Sequence, residues 1–278
     1  MLSETAALLT VRMASVAVVI NCVEILFGHS EFGSRGIYSW DVIRTGYRFS
    51  TSGWLSRVLD RVYRYPRFLF VVAGLLLAAT GLGVDLWPQW RGSLLTCVLL
   101  GWLLVQFRLQ YGLDGSDQML TIVLGSMWIY YLTPEAAVRA AAMGFVALQL
   151  ILSYVTAGLA KLLSPEWRSG LAMPEIMQTR SYGTGALARA FRRWPLGARA
   201  VCWAVILFEC LAFVAVFSGP EWCLWFIGMG VLFHLSIAVF MGLNCFFWSF
   251  ASTYPSVLVF SMTVEAWRSG KGLLALFA

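Results

Sequence analysis

Hydrophobic positions along the chain come in long continuous blocks separated by polar stretches. A representative block, VVAGLLLAATGLGV at residues 71–84, is rich in Leu, Val and Ala and shows no alternation of period two. A helix needs about 20 consecutive apolar residues to cross a bilayer, whereas a membrane strand alternates apolar and polar positions. The pattern therefore predicts helices near residues 8–27, 67–86, 92–110, 118–133, 136–163, 199–218 and 221–241. A further segment near 243–263, which carries Pro255, is expected to be an eighth span or a re-entrant loop. The expected fold class is an all-α, polytopic integral-membrane helical bundle of seven or eight transmembrane helices, a single domain over residues 1–278. The first apolar run is followed by Asn21, Glu24 and His29 without a small-residue cleavage site, so it reads as the first span rather than a removed signal.

Two long polar stretches, residues 28–66 and 164–198, interrupt the spans and are expected to hold interfacial helices. In WLSRVLDRVYRY (54–65), Trp54, Leu55, Val58, Leu59 and Val62 share one helical face, with Arg57, Asp60, Arg61 and Arg64 opposite. That is the pattern of a helix lying in the membrane interface. The second stretch runs into a basic cluster of Arg189, Arg192, Arg193 and Arg199.

Composition narrows the class further. The chain is 60% hydrophobic and only 12% charged, with a mean hydropathy of +0.76, against about 25% charged residues in soluble domains. Such a surface is solvated by lipid, which makes the bilayer the first expected partner and a cell membrane the expected location. The net charge of +6 does not indicate nucleic acid, because the aromatic residues are dispersed through apolar runs rather than gathered in a basic patch. Six cysteines (Cys22, Cys97, Cys202, Cys210, Cys223 and Cys245) lie in or beside apolar runs without a CxxC, and are expected to be small buried hydrophobes. Two distant histidines provide no metal motif.

Charge counting predicts a topology. Residues 31–67 hold seven Arg against three acids, and residues 164–199 hold six against two. The alternate loops carry little charge. Helix counting puts both Arg-rich stretches and the turn around Asp114 on one face, which the positive-inside rule makes cytoplasmic.

Eighteen of the twenty basic residues are Arg, leaving only Lys161 and Lys271. Lys161, in SYVTAGLAKLLSPEW, is either a side chain snorkelling to the headgroups or a desolvated amine able to act as a base, a role closed to Arg. Glu209 lies mid-span in AVILFECLAFVAV, where a lone carboxyl costs about 2.5–3.5 kcal/mol; it faces the bundle interior as a structural or a functional group. His234, in VLFHLSIAVF, is a hydrogen-bonded core residue or a site residue. Arg12 reads as a snorkelling anchor, while Asn21 and Glu24 share a face near the end of the first helix. The turn YGLDGSDQML (111–120) brings together Asp114, Ser116, Asp117 and Gln118, either as a solvated helix cap or as part of a polar pocket with Lys161.

Three segments carry a family resemblance: DGSDQML (114–120), YVTAGLAKLLSPEWRSG (154–170) and FHLSIAVFMGLNCFFWSFASTYP (233–255). They resemble the horizontally transferred transmembrane domain family, which includes the membrane part of vitamin K-dependent gamma-carboxylases and the SdpB-type maturation proteins of a secreted peptide. The resemblance implies that Lys161 is the base that deprotonates a quinone-like, lipid-soluble cosubstrate, with Glu209 and His234 lining the same cavity. It also implies a peptide or small-molecule substrate. Two departures from the carboxylases stand out: no histidine occurs near Ser116 or Asp117, and no large extramembrane domain follows the last span. The length is nearer the SdpB type, which implies the alternative of a non-catalytic maturation factor working with a soluble partner protein. Intramembrane charges alone suggest a third alternative, a small transporter. The resemblance places the Lys161 face outside the cytoplasm, opposite to the Arg count.

Overall fold

The structure, a computed structural model, describes residues 2–47, 53–110, 113–272 and 274–277, except for the side chain of Ala215. Among the described residues it is helical throughout, without a strand. In chain order the α-helices are α1 (Leu2–Phe27), α2 (Trp40–Ile43), α3 (Trp54–Tyr63), α4 (Arg67–Gly83), α5 (Arg91–Arg108), α6 (Gly115–Leu132), α7 (Ala136–Leu163), α8 (Pro165–Ser169) and α9 (Ala172–Ile176). They continue with α10 (Gly185–Arg193), α11 (Pro195–Cys210), α12 (Ala212–Phe217), α13 (Pro220–Met241), α14 (Asn244–Ala251) and α15 (Tyr254–Arg268).

Five helical segments are long and apolar enough to cross a membrane: Leu2–Phe27, Pro88–Arg108, Ala136–Leu163, Pro220–Met241 and Asn244–Arg268. A sixth is possible if α3 and α4, bent by 69° at their junction, count as one span. The expected count of seven or eight also includes two helical regions that fall short of that standard. α6 opens on the polar turn Gly-Ser-Asp-Gln, and α11 and α12 are separated at Leu211 into pieces of 16 and 6 residues. The last expected span is present as α14 and α15, with Pro255 in the first turn of α15, where its missing N–H breaks no helical bond.

Local chemistry explains where the helices end. Asp114 caps α6, accepting from the backbone N–H groups of Ser116 and Asp117 while the Asp117 carboxylate accepts from the Asp114 N–H. Ser164 leaves helical geometry before Pro165 and its hydroxyl accepts from Trp167 N–H, so one residue closes α7 and opens α8. Gly242 stops α13 at φ 73°, a left-handed conformation that favours glycine.

α1 occupies the middle of the bundle, against α4, α6, α14 and α15. Its Ala7, Ala14 and Ala17 are fully buried, small enough for neighbouring backbones to approach closely. The outer faces are apolar: Phe70 and Leu77 of α4, Leu100 of α5, and Trp225, Leu232 and Val239 of α13 are all exposed. Cys97 is exposed on this outer face too, contrary to the expected burial of every cysteine; Cys22, Cys202 and Cys223 are buried, and Cys210 and Cys245 are intermediate. α3 also differs from a simple two-faced helix. Trp54, Leu55 and Val58 are exposed, whereas Asp60 turns inward and accepts from Trp40 Nε1 at 2.7 Å and Arg44 Nη1 at 3.1 Å.

Candidate functional site

Tyr154, Gly158 and Lys161 lie at positions i, i+4 and i+7 of α7, one face of one helix. That face meets α11 at Gly158. A Cβ at Gly158 would come within 2.8 Å of Cys210 N and 2.9 Å of Glu209 Cβ, so only glycine allows the two helices so close. The close approach delivers Glu209 to Lys161. Lys161 Nζ donates to both carboxylate oxygens, at 2.8 Å to Oε1 and 2.7 Å to Oε2. The carboxylate side chain is 4% exposed and the lysine side chain 21%. The ammonium also lies 5.2 Å from the centre of the Trp167 ring, on α8, within the range of a cation–π contact.

A second polar group stands beside the pair. Tyr154 hydroxyl bonds His234 Nε2 at 2.7 Å and Tyr254 hydroxyl at 3.1 Å, joining α7, α13 and α15. Gly230 makes room for this, because a Cβ there would fall 2.4 Å from the Tyr254 hydroxyl oxygen. The His234 ring is 1% exposed, stacks on Phe250 at 4.5 Å between centroids, and leaves its buried Nδ1 without a hydrogen-bond partner.

Both groups open onto one cavity of about 270 Å³. Lys161, Glu209, Tyr154, His234 and Ser153 supply its polar atoms, and Met173, Ile176 and Met177 from the second polar stretch cover one side with Trp167. Phe233, Ile237, Met241, Phe246 and Phe250 supply most of the apolar wall. A mainly apolar cavity with a few convergent polar groups suits a small lipophilic molecule, and its proton-carrying groups suit acid–base chemistry.

The sequence-expected residues divide between two places. Lys161, Glu209 and His234 come together in this cavity, and Asp114, Ser116, Asp117 and Gln118 do not line it. Asp114, Ser116 and Asp117 form the cap of α6, and Asp117 also accepts from Gln106 Nε2 at 3.1 Å. The expected pocket uniting that turn with Lys161 is thus replaced by a cap, because the Asp114 and Asp117 oxygens are used by the local backbone. Tyr111 and Gly112 of the same turn lie outside the described residues. Among the described residues no group of three or more His, Cys, Asp or Glu side chains is arranged to hold a metal ion.

Sequence reasoning passed over Tyr154, Tyr254 and Arg108. Arg108, at the end of α5, is fully buried. Its guanidinium lies 5.3–5.5 Å from the ring centres of Phe32, Trp40 and Phe68, and donates to the carbonyl oxygens of Tyr38 and, at 3.4 Å, Tyr63. The signal for Tyr154 was its helical spacing from Lys161, and for both tyrosines their place in the resembling segments. For Arg108 it was a single cation between Phe107 and Leu109 in an apolar helix. Comparison of the chain with protein-family models, curated proteins and solved structures finds no match to any of them, so the site is read from its own geometry.

Proposed function

We propose that the chain is a multi-pass cell-membrane protein of the horizontally transferred transmembrane domain family. It crosses the bilayer seven or eight times, counting α6 and the α11–α12 pair as spans. In this reading its cavity is an acid–base site acting on a lipid-soluble, ring-bearing molecule of the quinone class, for modification of a peptide or small molecule. The observation that carries the reading is the Lys161–Glu209 pair, a cation and a carboxylate held face to face on an apolar cavity.

Desolvation in such a cavity penalises both charges, which brings the neutral amine–carboxylic acid form closer in free energy to the ion pair. Lys161 hands one proton to Glu209 and becomes a neutral amine. Its lone pair then takes the proton of a bound hydroxyl, whose oxygen keeps the O–H electron pair. The new ammonium stands beside that oxyanion and stabilises it. Glu209 holds the first proton, Trp167 covers the amine, and the Tyr154 hydroxyl fixes the His234 ring in the cavity wall.

The test uses protein in lipid nanodiscs and a short-chain naphthohydroquinone as probe, with binding read by fluorescence and oxyanion formation by hydroquinone-dependent oxygen uptake. Wild type accelerates uptake; Lys161→Ala binds the probe and loses the acceleration. A folded Lys161→Ala that retains full acceleration refutes the base role.

A second reading, a non-catalytic SdpB-like maturation factor that presents a secreted peptide to a soluble partner, draws on α3. Trp54, 70% exposed, forms with Leu55 and Val58 an apolar strip beside exposed Arg57 and Arg61. In that case substitutions on this strip abolish partner recovery, and Lys161→Ala leaves it intact.

A further inference from the structure

A second polar site lies away from the Lys161 cavity, where α1, α5 and α7 begin and α6 ends. A cavity of about 300 Å³ there is lined by Glu4, Thr5, Arg91, Tyr130, Tyr131 and Arg139. Tyr130 is 1% exposed, and the hydroxyls of Tyr130 and Tyr131 are both buried, the first near Ser3 and the second near Arg91, neither in a hydrogen bond of good geometry. Buried donors without partners are destabilising and uncommon in folded proteins.

The two arginines are held in place by groups that leave donors free. Asp85 takes Arg91 Nε at 3.0 Å and Nη2 at 2.6 Å, and the guanidinium lies 5.4 Å from the Tyr131 ring centre. Arg139 donates from Nε to the Thr133 carbonyl oxygen at 2.9 Å and lies 5.1 Å from the Tyr130 ring centre. Arg139 Nη1 is 3.7 Å from Glu4 Oε1, longer than a hydrogen bond, and the Glu4 side chain is 67% exposed at the rim.

Two guanidinium groups and two tyrosines, whose buried hydroxyls lack partners, therefore line one small cavity. We propose that it binds a phosphate group, whose several acceptor oxygens match Arg forks and hydroxyl donors together. The adjoining architecture fits a phospholipid. A nearly wholly apolar groove of about 500 Å³, lined by Leu2, Leu9, Leu224, Phe247 and Leu258, shares Thr5 with the polar cavity and runs between α1, α13, α14 and α15. An acyl chain in that groove places its phosphate at the arginines, and free phosphate is the other source of the same chemistry.

The full chain, delipidated in dodecyl maltoside, is titrated with phosphatidylglycerol or with inorganic phosphate while its apparent Tm is followed, since a ligand of the folded state raises Tm in proportion to its affinity. Phosphatidylglycerol raises the wild-type Tm. Tyr130→Phe starts from an equal or higher Tm, having lost an unpartnered hydroxyl, yet needs about tenfold more lipid for the same rise; Arg139→Gln behaves alike in the titration. A rise with the lipid alone assigns the phosphate to a headgroup, and an equal rise with inorganic phosphate assigns it to a free anion. No rise with either, or an undiminished wild-type response in both variants, overturns the proposal. Lys161→Ala leaves this response intact, so failure here is distinguishable from failure of the acid–base reading.

Discussion

Two cations, the half-buried Lys161 and the fully buried Arg108, lie near the ends of α7 and α5, and the protein treats them in opposite ways. Arg108 is enclosed: three aromatic rings surround its guanidinium, two backbone carbonyls accept from Nε and Nη2 while the buried Nη1 has no partner, and it lines none of the cavities described above. Lys161 has a carboxylate, one ring and a cavity. Arg keeps its proton in proteins, whereas a desolvated Lys can release it. The enclosed site therefore ties residues 28–47 and the end of α3 to α4 and α5, and the open site has the parts for moving protons. Burial of a charge does not by itself mark chemistry; a partner able to take the proton and a space for a third molecule do.

The comparison breaks first at Arg108. Arg108→Ala leaves the Tyr38 and Tyr63 carbonyls without their donor and empties the space between three rings, at a cost of about 3–5 kcal/mol, read as a lowered Tm in detergent. Arg108→Lys recovers part of this, because an ammonium lacks the planar fork. Neither change alters the catalytic behaviour of the molecules that remain folded.

At the open site the expected pattern is reversed. Glu209→Gln leaves a partly buried ammonium without its counter-charge, costing about 2–3 kcal/mol, and abolishes hydroquinone-dependent oxygen uptake. The double variant Lys161→Met with Glu209→Gln regains most of the stability, as replaced buried ion pairs often do, but none of the activity. A double variant that regains activity would dissolve the distinction between the two sites. Tyr154→Phe removes one hydroxyl from the link between His234 and Tyr254 and costs about 1–2 kcal/mol, and the binding of the probe weakens as the His234 ring loses its anchor.

The smallest effect is expected at Asp85, outside the spans, whose carboxyl is held below the usual range chiefly by its hydrogen bonds to Arg91. A lowered folded-state value means that the stabilisation is fully present above the unfolded value of about 3.9 and is lost as pH falls through the lower folded one. Thermal scans between neutral pH and pH 3 should show this loss in wild type and less of it in Asp85→Asn, which starts about 1 kcal/mol less stable.

The helices were legible in the sequence because lipid demands length and apolar continuity, and both are written directly in the order of residues. Each predicted span has a helix at its position, and the breaks at Leu211 and between α14 and α15 refine that picture. The pairing of Lys161 with Glu209 was not legible, because the two are 48 positions apart and meet only where Gly158 lets α7 and α11 close together. The same holds for Arg108, whose acceptors Tyr38 and Tyr63 come from a stretch that reads as polar surface and instead folds under α4 and α5. The Asp114 turn was open to two readings, and the cap prevailed through hydrogen bonds within four residues.

Whether Lys161 and Glu209 work as one pair is read by amine-selective labelling. The chain has two lysines, so Lys271→Arg makes the signal specific to Lys161. In that background, at a fixed pH near 8, slow labelling of Lys161 is expected because both Glu209 oxygens engage Nζ, with labelling about tenfold or more faster in Glu209→Gln. Equal rates in the two proteins would mean that the carboxylate does not engage the lysine amine, and would contradict the pairing.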